Sequence, residues 1–265
     1  MVVNVITRHA PTNYGSLLQA IATQRVIMNL GYECRIINYI PKCETGVRMA
    51  ITQLEQKTKW RRNPIKKAIY LMVAEPETLL MDRKFLAMRK KYLLMGPCCA
   101  TTGELKKLYA EKKDEVFLTG SDQVWGPIST GHYDPTYFLD FAPKSSRKLA
   151  FAASFGKAIF DEQTLKEYGV LLKKYDSLAV RENVAVELLK KMDISAKQVL
   201  DPTLLMDADA WSEYVKPMKK PEKYVLVYQI HANSDLDHYA VKFAEKAELP
   251  LLRVSPLLHQ AKRSG

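Results

Sequence analysis

The sequence is poor in the features that would place it outside the cytoplasm or in a membrane. It has only four cysteines, Cys34, Cys43, Cys98 and Cys99, and no C-x-x-C pair. The adjacent pair Cys98-Cys99 cannot close an ordinary disulfide with itself without strain. The pattern excludes a disulfide-built secreted fold, and no metal is expected. No apolar run approaches the roughly eighteen residues of a membrane span. The N-terminus, Met1-Val2-Val3-Asn4-Val5-Ile6, lacks the basic region and small-residue cleavage site of a signal peptide. The expected location is the cytoplasm. Internal repeats and low-complexity segments are also missing.

Catalytic motifs are equally scarce. There is no G-x-G-x-x-G, no H-E-x-x-H and no visible Ser-His-Asp or Cys-His arrangement. The five histidines, His9, His132, His231, His238 and His259, are scattered. Zinc-finger, RNP and KH signatures are lacking, so a nucleic-acid partner is not expected.

What the chain does have is length, apolar content and positive charge. Its 265 residues carry 47% hydrophobic residues and a formal net charge of +11. That length exceeds one ordinary domain and falls short of two full α/β domains. The positive balance suits anionic partners such as phosphorylated substrates, acidic glycans or a membrane surface. Part of it belongs to solvated helix faces. Lys106 and Lys107, for example, lie between Leu105 and Leu108 and point to water if both leucines face inward.

Strand-like and helix-like segments alternate. Residues 2–6 form a β-branched run, and 16–30 read as a helix with Leu17, Leu18, Ile21, Ala22 and Met28 on one face. Gly31 stops that helix, and 34–39 is a second strand. This is a βαβ unit, and it predicts a parallel sheet. Residues 46–95 are basic, rich in Met and Leu, and read as a helical insertion. The rhythm resumes with strands at 116–119, 148–153, 177–180 and 197–200 and helices at 161–174 and 183–192. A Lys/Pro linker at 216–222 separates this first Rossmann-like domain, 1–215, from a second start. There a strand at 224–228, a helix at 235–247 and a strand at 251–254 occupy 223–265. Two strands and a helix bury too little apolar area to stand alone, so the second domain is expected to be incomplete.

Ligands of parallel sheets bind beyond the carboxyl ends of the strands, and this rule selects the candidate residues. After the first strand come Asn13, Tyr14, Gly15 and Ser16, where the helix start offers N–H groups to an anion. A plain turn capped by Asn13 explains the same residues. After 116–119 come Ser121, Asp122 and Trp125. These suit hydrogen bonds to sugar hydroxyls and a stacking face, or simply helix caps. Ser154 and Gly156 follow the next strand and would allow close approach of a ligand to the backbone. Arg181 ends the 177–180 strand, suited to two-point binding of carboxylate or phosphate, or to an ion pair with Glu182 or another acid. Asp201-Pro202 reads best as a helix start.

Five ordered strings carry a family resemblance. They are Asn13-Tyr14-Gly15-Ser16-Leu17-Leu18-Gln19-Ala20, Gly120-Ser121-Asp122-Gln123-Val124-Trp125, Phe151-Ala152-Ala153-Ser154-Phe155-Gly156, Val180-Arg181-Glu182 and Asp201-Pro202-Thr203-Leu204-Leu205. Together they resemble the blocks of the polysaccharide pyruvyltransferase family. The resemblance implies a GT-B-like pair of Rossmann-like domains and no cofactor. It implies phosphoenolpyruvate as donor and a glycan or lipid-linked sugar as acceptor. It also puts Arg181 near the donor. The candidate substrate-binding set is therefore Asn13, Tyr14, Gly15, Ser121, Asp122, Ser154 and Arg181, with the catalytic residue unassigned. The family's C-terminal Ser/His block has no counterpart here, because His259 in Leu257-Leu258-His259-Gln260 lacks the context. The chain is then a fragment, the product of a shortened gene, or a member with another task, and no transfer is expected from it alone. A nucleotide-sugar glycosyltransferase on the same plan and a non-catalytic remnant are the competing readings. Finally, Gln56–Lys67 gathers six cationic residues around Trp60. It suggests peripheral contact with the inner face of a membrane, or a solvated basic helix face.

Overall fold

The computed structural model describes residues 1–41, 44, 79–128, 131–157, 159–229 and 233–254. The chain forms two compact units, Met1–Ala208 and Asp209–Gly265.

In the first unit six strands make one sheet: β1 (Val2–Ile6), β2 (Glu33–Ile36), β3 (Val116–Thr119), β4 (Lys148–Ala153), β5 (Ser177–Val180) and β6 (Lys197–Gln198). Their order is β2-β1-β3-β4-β5-β6, and every pairing is parallel. This is a Rossmann-like α/β sheet. All four residues of β3 are buried, as expected of an inner strand of a parallel sheet covered on both faces.

Helix α1 (Tyr14–Asn29) connects β1 to β2. Asn13 caps it, its side chain accepting from Ser16 N at 3.2 Å. Gly31, just past the end, takes φ +86°, a conformation that costs glycine little. The buried face differs from the apolar stripe read from sequence. Leu17, Ile21 and Ala22 are buried, but Leu18 and Met28 are 36% and 42% exposed. Polar Gln19 and Thr23 are buried instead. Their donors are paired inside the fold: Gln19 Nε2 donates to Thr7 Oγ1 and Ser16 O, both at 2.8 Å, and Thr23 Oγ1 to Gln19 O at 2.7 Å, while Gln19 Oε1 is buried without a partner. A paired polar group can be buried at little cost, and this turns the inward face of α1 away from Leu18.

Most of the expected insertion, residues 45–78, lies outside the described residues. Residues 79–92 form helix α2. The segment after it is extended rather than helical and runs beside β2, with Ile36 N donating to Leu94 O at 2.8 Å and Gly96 N to Ile36 O at 3.1 Å. Helix α3 (Thr102–Tyr109) carries Lys106 and Lys107 on an exposed face, and Thr101 and Glu104 form its capping box. Only Leu105 of its leucine pair is fully buried. Leu108 is exposed, because three residues of helix rotate it toward the rim.

Helices α4 (Glu162–Leu172) and α5 (Asn183–Lys191) complete the described helices over the sheet. Trp125, Tyr137, Phe138, Phe155 and Tyr168 form an aromatic core beyond β3 and β4. The Trp125 and Phe138 rings are stacked, with centroids 5.8 Å apart. Leu178, Leu188 and Leu189 bring β5 and α5 into the same core.

After the short helix α6 (Ala208–Ser212), the second unit pairs β7 (Val225–Tyr228) in parallel with β8 (Leu251–Val254), joined by α7 (Ser234–Lys246). Asn233 caps α7 by accepting from Leu236 N at 3.0 Å. Ala240 and Ala244, one helical turn apart, are its buried residues.

Candidate functional site

Strands β2 and β3 flank β1, so the chain departs from β1 in opposite directions across the sheet. At such a switch point the loops separate and leave a crevice at the carboxyl ends of the strands. The two loops here are Thr7–Asn13 and Gly120–Gly126.

Buried hydrogen bonds tie these loops together. Thr7 Oγ1 donates to Ser121 O at 2.6 Å. Ser16 Oγ, in the first turn of α1, donates to Asp122 Oδ2 at 2.7 Å. Asp122 Oδ1 accepts from Gln123 N at 2.7 Å. Asp122 holds φ +88°, a left-handed conformation that costs a non-glycine residue energy and is found at functional sites. No helix follows it, so the helix-cap reading of Ser121 and Asp122 is corrected: the segment is a tight turn. The backbone continues the tie, with Ser154 N donating to Asp122 O and Trp125 N to Ser154 O, both at 3.1 Å. Ser154 Oγ accepts from Gly156 N at 3.0 Å.

From Ser121 the network crosses to the far strands. Ser121 Oγ donates to Asp201 Oδ2 at 3.2 Å, and Arg181 Nη1 donates to the same oxygen at 2.9 Å. Arg181 Nε donates to Glu182 Oε1 at 2.8 Å. Burial opposes the charge of Arg181, but its hydrogen bonds to Glu182 and Asp201 and their negative charge outweigh this and raise its pKa. Burial likewise opposes ionisation of Asp201, whereas hydrogen bonds from Thr203 and Arg181 prevail and lower its pKa. Both groups are therefore charged at neutral pH. Asp201 also starts a short 3-10 turn, Pro202–Leu205, as its Asp-Pro sequence suggested.

A cavity of about 250 Å³ adjoins this network. Gln123, Ser154, Gly156, Lys157, Glu182 and Val184 line it. Glu182, at the start of α5, contributes no side-chain cap, so the first N–H groups of that helix face no carboxylate of their own. The arrangement offers hydroxyl, amide and cationic groups to an anionic or hydroxylated ligand.

Of the seven candidates, Ser121, Asp122, Ser154 and Arg181 are thus joined through one network. Asn13 acts as the cap of α1, and Gly15 is exposed in its first turn. Tyr14 is half exposed, its ring 4.9 Å from that of Phe85 on α2. Trp125 is fully buried and stacked in the core, so it offers no face to a sugar. The indole is large and apolar, and burying it beside Phe138 outweighs display at a wet surface.

Several residues of this region escaped the sequence reading. Helix α2 grips the β1–α1 loop: Arg89 Nη1 donates to Ala10 O, and Thr12 Oγ1 to Asp82 Oδ1. Arg8, at the end of β1, pairs with Glu44 at 2.5 Å. The Tyr137 hydroxyl is buried without a hydrogen-bond partner. Burial, then the nearby charge of Glu44, pushes its pKa well above the usual value. His9 is fully buried, with Nδ1 3.2 Å from Thr7 O and Nε2 3.3 Å from Asn38 Oδ1. Adjacency of Arg8 and His9 to the end of β1 was the available signal. Cys34, Cys98 and Cys99 are free thiols, and burial pushes Cys34 up to about 12. Among the described residues no group of His, Cys, Asp or Glu could hold a metal ion. Nor is any described helix long and apolar enough to cross a membrane.

The fold and the linked strand ends define a Rossmann-like α/β protein with a polar cavity beyond the carboxyl ends of β3, β4 and β5. The family model for polysaccharide pyruvyl transferase matches residues 13–257, and the chain belongs to that family. The match continues past residue 205, where the last of the five sequence strings ends. No curated protein matches the chain. Among solved structures, UDP-N-acetylglucosamine 2-epimerase from Rickettsia bellii is similar, with 11% identity and a TM-score of 0.39. The similarity covers 99% of this chain and 63% of that one.

Proposed function

We propose that the protein takes phosphoenolpyruvate as donor and a sugar of a cell-surface glycan, free or lipid-linked, as acceptor. The observation that carries the proposal is the Ser121–Asp201–Arg181 line in a chain of this family. It sets a guanidinium at the end of β5, beside uncapped helix N–H groups and the Ser154 turn. Phosphoenolpyruvate presents a carboxylate and a phosphate, and both suit these donors.

In the proposed reaction a general acid protonates the methylene carbon of the donor. Cationic character develops at the neighbouring carbon, a sugar hydroxyl attacks it, and phosphate leaves. Loss of phosphate leaves that carbon cationic again, and a second hydroxyl of the sugar closes on it, losing its proton, to give a cyclic ketal. The protonating residue is unassigned, and His9 is too deeply buried to reach a substrate. Arg181 and Asp122 are assigned to binding, with Ser121, fully buried, holding Asp201 in place behind them and Asn13, Tyr14, Gly15 and Ser154 shaping the walls. We place the reaction in the cytoplasm, at the inner face of the membrane where an acceptor is lipid-linked. The basic segment Gln56–Lys67, which would touch that surface, lies outside the described residues.

Ligand-induced stabilisation tests the donor. Phosphoenolpyruvate should raise the melting temperature, and inorganic phosphate should do so less. Stabilisation by a nucleotide sugar but not by phosphoenolpyruvate would favour a glycosyltransferase. Indifference to both would favour a non-catalytic remnant.

A further inference from the structure

Helix α2, residues 79–92, has two unlike faces. Its inward face grips the β1–α1 loop at the carboxyl ends of the strands. Phe85 and Arg89, one turn apart, are buried, and Arg89 Nη1 donates to Ala10 O. The only acid of the helix, Asp82, accepts from Thr12 Oγ1, and the Phe85 ring lies 4.9 Å from that of Tyr14. At the end of the helix, Gln24 of α1 donates to Tyr92 O at 3.0 Å and accepts from Leu94 N at 2.7 Å. The helix is therefore fixed to α1 and to the loop before it.

The outward face carries no acid. It holds two stripes at helical spacing, the first Leu79, Arg83, Leu86 and Lys90, the second Leu80, Lys84, Ala87 and Lys91. All of these residues are exposed, and Leu79, Leu80 and Leu86 are 48%, 45% and 40% exposed. A single exposed leucine is ordinary. Here every leucine of the face stands four residues before a cation, so each apolar side chain has a basic neighbour one turn away.

This combination selects the occupant. A nucleic acid or an acidic polymer uses the cations and leaves the leucines in water. A second copy of the chain, paired through the same face, sets cations against cations. The surface of an anionic bilayer uses both: leucines enter the boundary of the acyl chains, while the basic heads stay level with the lipid phosphates and carboxylates. We propose that the outward face of α2 docks the protein on an anionic lipid bilayer. An α-helix is about 10 Å across, so the inward contacts of α2 then hold the β1–α1 loop about that far from the headgroups. A lipid-linked sugar spans such a gap. That use rests on the acceptor proposed above, whereas the docking surface rests on α2 itself and is separate in sequence from Gln56–Lys67.

Co-sedimentation of the full chain with vesicles tests this. Wild-type protein should bind mixed phosphatidylserine and phosphatidylcholine vesicles and leave pure phosphatidylcholine vesicles bare. Arg83→Gln, Lys84→Gln, Lys90→Gln and Lys91→Gln together, with Gln56–Lys67 intact, should weaken binding by about a hundredfold or more. Leu79→Ser, Leu80→Ser and Leu86→Ser together should weaken it by about tenfold with every charge kept. The substituted positions are all exposed, so both variants should keep the circular dichroism spectrum of the wild type and its thermal response to phosphoenolpyruvate. If one variant fails to fold, the other decides. A chain that ignores phosphoenolpyruvate yet binds the mixed vesicles through α2 would sink the donor reading and leave the docking surface standing. Equal binding to both kinds of vesicle, full binding by the glutamine variant, full binding by the serine variant, or leucine-dependent self-association in place of vesicle binding would each overturn the proposal.

Discussion

Arg181 Nη1 and Asp201 Oδ2 lie 2.9 Å apart, joining the end of β5 to the turn that follows β6. Ser121 donates to the same carboxylate oxygen from beyond β3. One partly buried carboxylate thus gathers three strand ends, and Arg181 is a structural partner in that link.

That link, beside the proposed donor contact, makes Arg181→Lys informative. Lysine keeps the charge but cannot serve Glu182 and Asp201 through a planar fork. Stability should fall by about 1 kcal/mol, and affinity for phosphoenolpyruvate by about tenfold. Urea unfolding and ligand-induced thermal shifts measure the two separately. Unchanged donor affinity with reduced stability would assign Arg181 to the scaffold alone.

Asp201→Asn probes the other end of the pair. The folded-state pKa of Asp201 is lowered, so its stabilising contribution is present above the unfolded value and lost as pH falls through the folded one. The variant should be about 2 kcal/mol less stable at pH 7. Its deficit should shrink below about pH 4, where the unfolded aspartate also becomes protonated. Denaturant titrations of both proteins between pH 7 and pH 3 would show this convergence.

His9 adds a dependence of the same sign nearer neutrality. Burial lowers its pKa against the hydrogen bonds of Thr7 and Asn38, and the charge of Arg89 lowers it further. The folded protein therefore holds His9 neutral while the unfolded chain protonates near pH 6.5. Stability is fully present above that value and falls as pH drops toward the folded-state pKa, by up to about 1.4 kcal/mol per pH unit. His9→Gln should flatten this part of the curve. An identical slope in the variant would remove His9 as its cause.

Two glycines near the site should differ in their tolerance of alanine. A Cβ on Gly126 would lie 2.6 Å from the Phe155 carbonyl oxygen, which is backbone and cannot swing aside. At Gly156 it would meet the Gln123 side chain at 2.8 Å, with the added cost of φ +68°. Gln123 is exposed and can move. Gly126→Ala should cost about 3 kcal/mol and Gly156→Ala about 1–2 kcal/mol. Equal losses in chemical denaturation would contradict the geometry.

Vesicle binding tests the basic segment Gln56–Lys67 directly. Peripheral attachment predicts salt-sensitive binding of the wild-type chain to phosphatidylserine vesicles, each basic residue contributing about 1 kcal/mol near the surface. Reversing Lys57, Lys59, Arg61 and Arg62 to glutamate should abolish binding with the circular dichroism spectrum unchanged. Wild-type protein that ignores such vesicles at low salt would dismiss the membrane contact.

Local sequence determined the alternation of elements. The runs at 116–119, 148–153, 177–180 and 251–254 are strands because short apolar segments bounded by turns have few other places to go. The ordered strings from Asn13 to Leu205 were enough to bring the family into view. Other features depended on partners far along the chain. Trp125 reads as a ligand platform until Phe138 and Tyr168 enclose it. Leu18 and Met28 read as inward until Gln19, bonded to Thr7 and Ser16, takes a place on the buried face. Asp122 adopts its left-handed turn between Ser16, more than a hundred residues earlier, and the strand that ends at Ala153. Such contacts follow from strand order and sheet twist, which put β3 beside β1 and Asp201 beside Arg181. Hydrophobic periodicity records which residues of an element are apolar but not which neighbour its faces meet, so the convergence of the strand ends was decided by the tertiary structure.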